Sequence, residues 1–179
     1  PMTIHAENAW QMKAGLVLAF LLFVTGCKEV EVTEASSDNR TLCYADFEQC
    51  ISPILDAQLS GRSGPATCAS SGCHDQAAGS GGAFKIFSQP APSSAEMLAN
   101  YFAARAFANL DDPDQSKLLL EPLQGVSSIT GTHTGGDIFP STGDACYVAI
   151  HDWISNQVEA SDSSACGQCV APDPASCGY

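Results

Sequence analysis

Apolar and polar positions along the chain alternate at helical spacing in only a few windows. The first apolar block is an unbroken run from residue 14 to 24, preceded by Met12 and Lys13 and followed by the polar stretch 28–41. It is well short of the roughly 20 apolar residues that a membrane-crossing helix requires. Between residues 42 and 59, Phe47, Ile51, Ile54, Leu55 and Leu59 recur at helical spacing, with Pro53 placed to interrupt or restart the helix. Residues 60–82 are rich in Gly and Ser and read as loop. A second helix is predicted over 94–109, with Ser93 and Glu96 in capping-box spacing and Met97, Tyr101, Ala104 and Ala108 on one face. Asp112 followed by Pro113 reads as an N-cap and first helical residue opening a short helix through Leu119. Residues 125–141 are loop again. A last helix over 143–158 places Tyr147, Ile150, Ile154 and Val158 on one side. From Ala160 the tail is short of core residues. No sustained alternation marks a strand and no segment repeats, so the pattern predicts a mainly α domain with long loops.

The first apolar block changes meaning once its flanks are considered. A cation at Lys13, a short apolar run and small residues before Cys27 are the three parts of a secretory signal. The residues Val24, Thr25, Gly26 and Cys27 resemble the lipobox of bacterial lipoproteins. That resemblance implies that Cys27 is lipidated, becomes the first residue of the mature chain, and ties it to a membrane. Lys28 directly after the anchor implies the outer membrane, facing the periplasm or the cell surface. The alternative is an ordinary signal peptide whose Cys27 joins a disulfide. With Met12 as the start, residues 1–11 read as an over-extended beginning. The chain then divides into a leader (1–26), an anchor and flexible tether (27–42), and a domain with a Cys-rich tail (43–179).

Charge narrows the partners. The chain carries 7 Lys and Arg against 20 Asp and Glu, for a net −13. Glu7 and Lys13 cancel within the leader, so the whole imbalance falls on the mature part. Nucleic-acid binding, which needs clustered Lys and Arg, is excluded. An acidic surface instead suits a basic redox partner protein.

Nine cysteines are many for this length. Outside the cytoplasm they are expected to be oxidised or attached to something. Setting Cys27 apart leaves an even set: Cys43, Cys50, Cys68, Cys73, Cys146, Cys166, Cys169 and Cys177. The sharpest chemical signal among them is Cys68 and Cys73, with His74 directly after the second. Covalent haem attachment uses two thiols that form thioethers with the vinyl groups and an adjacent histidine that binds iron. The usual form has two residues between the cysteines; here there are four. The alternatives are a local disulfide between Cys68 and Cys73, with His74 an ordinary loop residue, or a zinc site using the same three residues and a fourth ligand. A second axial ligand to iron has three candidates, Met97, His133 and His151. Met97 falls on an apolar helical face and His151 flanks one, whereas His133 stands in a glycine-rich loop that can bring backbone close to a flat ring.

The surroundings of this motif resemble cytochrome c-like domains of proteobacterial lipoproteins and planctomycete proteins. Phe47, Glu48 and Gln49, then Pro53, Ile54 and Leu55 ahead of Cys73 and His74, are similar to the entry helix of such domains. The order continues with Ser116 to Leu120, Pro122 and Leu123, His133 to Gly136, and Tyr147 ahead of Trp153 and Ile154. The resemblance spans roughly residues 44–155. It implies a cytochrome c-like helical domain carrying one covalent haem c on Cys68 and Cys73, with His74 as proximal ligand. A histidine before the Gly-Gly pair points to His133 as the distal ligand. Bis-histidine ligation would hold the potential below that of a histidine–methionine pair.

Six cysteines remain as disulfide candidates: Cys43, Cys50, Cys146, Cys166, Cys169 and Cys177. On one continuous helix Cys43 and Cys50 would be about 10.5 Å apart at about 1.5 Å per residue. A disulfide tolerates less than about 7 Å between alpha-carbons, so these two are expected to pair elsewhere. The tail cysteines are expected to pin the C-terminus to the helices and to Cys146. Cys166 and Cys169 could also be read as a redox or zinc pair, but lack the strand–helix context of a redox motif. The leading functional expectation is electron transfer by a membrane-anchored haem protein, not an enzyme in its own right. The alternatives are a haem peroxidase, a cytochrome subunit of a larger oxidoreductase, or a haem-free, disulfide-stapled binding lipoprotein.

Overall fold

A computed structural model describes residues 39–126, 133, 135–160 and 166–179. The leader, Cys27 and most of the tether lie outside the described residues. So do residues 127–132, Thr134 and 161–165.

The chain enters through β1 (Arg40–Thr41) and turns into α1, residues 44–56. Cys43 caps this helix, its sulfur accepting from the amide of Asp46 at 3.2 Å. Within α1, Phe47–Ile51 is wound as a π segment, and the Ser52 amide bonds back to the Phe47 carbonyl, five residues earlier. This accommodates Pro53, which has no N–H to donate and would clash in a regular helix interior. The predicted interruption is therefore a widened turn inside one helix.

After α1 a tight hairpin forms from β2 (Leu59–Gly61) and β3 (Gly64–Ala66). Then come a long loop, α2 (Ala95–Ala106), a 3₁₀ turn (Pro113–Gln115) and α3 (Lys117–Leu120). A second loop leads to α4 (Ala145–Ser155), β4 (Val158–Glu159), which pairs antiparallel with β1, and a 3₁₀ turn (Pro174–Ser176).

The core is the junction of α1, α2 and α4. Phe47 lies 5.7 Å from Tyr101 and 5.5 Å from Trp153, ring centre to ring centre. Ile51, Ile54, Ala104, Ile150 and Ile154 fill the space around them. The polar tips in this core are satisfied by backbone. The Trp153 indole donates to the Cys43 carbonyl at 2.9 Å, and the Tyr101 hydroxyl to the Leu42 carbonyl at 2.8 Å. Burying each large side chain contributes about 1.5–3 kcal/mol, and the satisfied tips avoid the desolvation cost of an unpaired donor.

Three disulfides tie the tail to this core: Cys43 with Cys166, Cys50 with Cys169, and Cys146 with Cys177. All six candidate cysteines are used, and Cys43 and Cys50, on one helix, pair with the tail.

The expectation of a mainly α, cytochrome c-like domain is not met. The described residues hold four short helices and are about 36 % helical, so loops and small ladders make up most of the fold. Helical periodicity is sustained over only three windows, and the Gly-, Ser- and Pro-rich chain between them cannot propagate a helix. Local boundaries shift too. Ser94, not Ser93, caps α2, accepting from the Met97 amide at 3.1 Å, while Ser93 stands at φ 57°. Asp112 makes no side-chain cap, and the helix expected through Leu119 breaks at Ser116 into two pieces. Val158 leaves the last helix to join the ladder with Thr41.

Candidate functional site

The 68–74 loop hangs from the end of α1. The amide of Ala69, itself buried, donates to the Leu55 carbonyl at 3.2 Å. The extra residues between the two cysteines are looped out by local bonds: Ser70 to the Thr67 carbonyl at 3.0 Å, and Cys73 to the Ser70 carbonyl at 2.9 Å. The His74 amide then closes back on the Cys68 carbonyl at 2.9 Å. Four intervening residues thus still return the second cysteine and the histidine to the first.

Cys68 and Cys73 are the cysteines left unpaired among the described residues, and both are partly buried. A local disulfide between them, one of the alternatives, is not formed. Burial pushes the Cys68 thiol up to about 12, with the neighbouring Cys73 adding to the effect. Cys68 is held as a neutral thiol, a poor metal ligand and a poor redox nucleophile.

His74 is fixed on two sides. Its Nδ1 is 3.0 Å from the Phe84 carbonyl, which requires Nδ1 to be the donor and leaves the Nε2 lone pair free. Its ring lies 4.8 Å from that of Phe84. Burial lowers its pKa below the ordinary histidine value, favouring the neutral, ligating form. Gly81 packs directly against this ring. A Cβ on Gly81 would stand 2.2 Å from His74 Nδ1, so nothing larger than glycine fits. By composition 79–82 is only loop, yet its run of Gly and Ser is the signal for a close backbone approach.

His133 repeats the arrangement from the other loop. Its Nδ1 is 3.0 Å from the Gly136 carbonyl, and the Gly136 amide returns to the His133 carbonyl at 2.8 Å. The two imidazole ring centres lie 6.0 Å apart, with planes 15° from parallel. Cys68, Cys73, His74 and His133 all line one cavity of about 570 Å³. Its remaining wall is mostly apolar, with Leu55, Phe84, Phe107, Leu118, Ile138 and Phe139, and carries Lys117 and Glu121 as its charged residues. Such a volume lies in the range of about 300–1,000 Å³ typical of cofactor and ligand sites.

The other two candidate axial ligands are elsewhere. Met97 is buried in the core at α2, and His151 pairs with Asp114 at 3.2 Å; neither lines the cavity. The ligand atoms of Cys68, Cys73, His74 and His133 do not form a cluster of mutual 4.8 Å approach, as a zinc tetrahedron would. Two such clusters exist among the described residues, Cys43, Asp46 and Cys166, and Asp144, Cys146 and Cys177, but their sulfurs are bound in disulfides. Cys166 and Cys169 pair with different partners and form no dithiol.

No family model, curated protein or solved structure matches this chain.

Proposed function

We propose that this protein is an electron carrier holding one covalent haem c between its two loops. Cys68 and Cys73 would attach it through thioethers, each sulfur adding to one vinyl carbon and the thiol hydrogen to the other. His74 and His133 would hold its iron. The observation that carries this reading is the pair of near-parallel histidines, ring centres 6.0 Å apart, lining one mostly apolar cavity with two unpaired thiols. Two imidazoles sharing one metal through bonds of about 2 Å each have ring centres about 6 Å apart. Each Nδ1 is tied to a carbonyl, the arrangement that orients a ligating histidine and raises its basicity. Bound there, the group supplies a reversible one-electron couple; the chain holds it, excludes water and sets its potential.

Three disulfides favour an oxidising compartment. With the lipobox-like residues ahead of Cys27, this supports an exported lipoprotein, tethered to the cell envelope and offering an acidic domain to a basic partner.

The test is expression with cytochrome c maturation machinery, followed by denaturation in acidified organic solvent. Haem absorbance is expected to remain with the polypeptide, and to be lost from the double variant Cys68→Ala, Cys73→Ala. His133→Ala is expected to convert the iron from low to high spin with attachment intact. Colourless protein would overturn the reading in favour of a haem-free binding lipoprotein. Release from the membrane fraction in Cys27→Ala tests the anchor.

A further inference from the structure

His133 and His74 are supported very differently. The His74 loop hangs from α1, whereas the described residues that follow His133 are loop, and Gly136 and Asp137 rest on the β2–β3 hairpin. The Arg62 amide donates to the Asp137 carbonyl at 2.8 Å. The Arg62 guanidinium, largely exposed, lies 3.8 Å from the Asp137 carboxylate, which is only 7 % exposed. Gly136, at φ +88°, packs so closely on the hairpin that a Cβ there would stand 2.7 Å from Ser63 Oγ. With its amide oriented to satisfy its neighbours, the Gln124 side chain accepts from Arg62 at 3.3 Å and donates to the Tyr179 hydroxyl at 3.1 Å.

The hairpin is itself held from behind by the C-terminus. The Tyr179 amide donates to the Ser60 carbonyl at 2.8 Å, and Gly178 forms a bridge to Ser60. The Gly178 amide donates to Asp144 Oδ2 at 2.7 Å, and the adjacent Cys177 is bonded to Cys146 at the start of α4. A continuous set of contacts therefore runs from α4 through the last three residues and the hairpin to the loop of His133.

We propose that Arg62 and Asp137 are positioning residues for His133, and that the disulfide between Cys146 and Cys177 locks the hairpin that carries Arg62. The tail is thus part of the site without touching it. This rests on the reading of His133 as a metal ligand. It assigns the third disulfide a task distinct from the other two, which tie the tail to α1.

The experiment uses the full holoprotein and the variants Arg62→Gln, Arg62→Lys, Asp137→Asn and the double Cys146→Ala, Cys177→Ala. Arg62→Gln changes an exposed side chain and keeps the backbone bond, so it is the variant least exposed to misfolding. Arg62→Gln and the disulfide double variant are expected to show a several-fold larger high-spin ferric fraction than the parent, with covalent haem content unchanged. Added imidazole should restore the low-spin spectrum, and Arg62→Lys should retain most of it. In the haem-free chain, amide exchange at Gly136 should accelerate several-fold in Arg62→Gln while that of Ile86, beneath His74, stays the same. Unchanged spin state and unchanged Gly136 exchange in all variants would overturn the proposal. A parent that binds no haem but shows the Gly136 effect would sink the haem reading alone and leave the brace standing.

Discussion

Replacing Gly81 by alanine puts a methyl group where His74 already is. The new Cβ would lie 2.2 Å from His74 Nδ1, 2.5 Å from its Cε1 and 2.7 Å from the Cys73 carbonyl oxygen. Ordinary contact begins near 3.4 Å, so ring and backbone must separate by about 1 Å, the scale at which a packed site loses its geometry. The ring cannot swing away without giving up its bond to the Phe84 carbonyl and its contact with the Phe84 ring. Overpacking of this kind costs about 1–3 kcal/mol, and the lost hydrogen bond about 1 kcal/mol more. The sum is about 2–4 kcal/mol. At roughly 4 °C per kcal/mol for a domain of this size, Tm should fall by about 8–16 °C. Gly72→Ala is the control, because a Cβ there meets nothing within 4 Å; it should stay within about 0.5 kcal/mol of the parent. Thermal unfolding followed by far-ultraviolet dichroism measures the first effect. The low-spin haem spectrum measures displacement of His74. If Gly81→Ala melts with Gly72→Ala and keeps the parent spectrum, the packing of Gly81 on His74 is refuted.

Asp144→Ala removes one carboxylate that accepts from the amides of Cys146, Tyr147 and Gly178. A cap alone is worth about 0.5–2 kcal/mol, so urea unfolding should show a loss of about 2–3 kcal/mol once the partly buried Gly178 amide also loses its acceptor. Cys43 with Cys166 and Cys50 with Cys169 cross-link nearly the same segments, at separations of 123 and 119. With one intact, the other closes only a ring of about ten residues, worth about 2.7 kcal/mol in the chain-entropy account. Losing both frees a loop of more than a hundred, worth about 4.9 kcal/mol more. Denaturant titration should therefore find the double loss larger than the sum of the singles, and strict additivity would count against this pairing. Burial raises the pKa of the Asp56 carboxyl, outweighing its bond from the Gln89 amide. A raised folded-state pKa contributes stability that is full below the unfolded value near 4 and lost as pH rises through the folded one. Asp56→Asn should flatten that part of the stability–pH curve; an unchanged slope as pH rises from about 4 would contradict the shift.

Much of the site is legible in the order of residues alone. Two cysteines and a histidine in sequence place three groups close together whatever the fold. The Gly-rich context of His133 sets it apart from Met97 and His151, and of the three only His133 lines the cavity. What is not legible there is the support. Nothing local in Arg62 or Asp137 distinguishes them from other charged residues of an acidic chain, and Asp144, a local cap of α4, gives no sign of its second bond to Gly178. These roles come from partners up to 75 positions away.

Periodicity alone fixed the helical windows, because Phe47, Ile51 and Ile54, like Tyr147, Ile150 and Ile154, must share a face on any α-helix. Rise per residue argued against a bond between Cys43 and Cys50 on one continuous helix. Only the tertiary structure decided where helices stop, since Val158 gains a ladder with Thr41 that no local preference encodes. It also decided the fold class. Short helices joined by long loops hold together here through three tail cross-links, and a disulfide depends on spatial approach between distant residues rather than on any pattern along the chain.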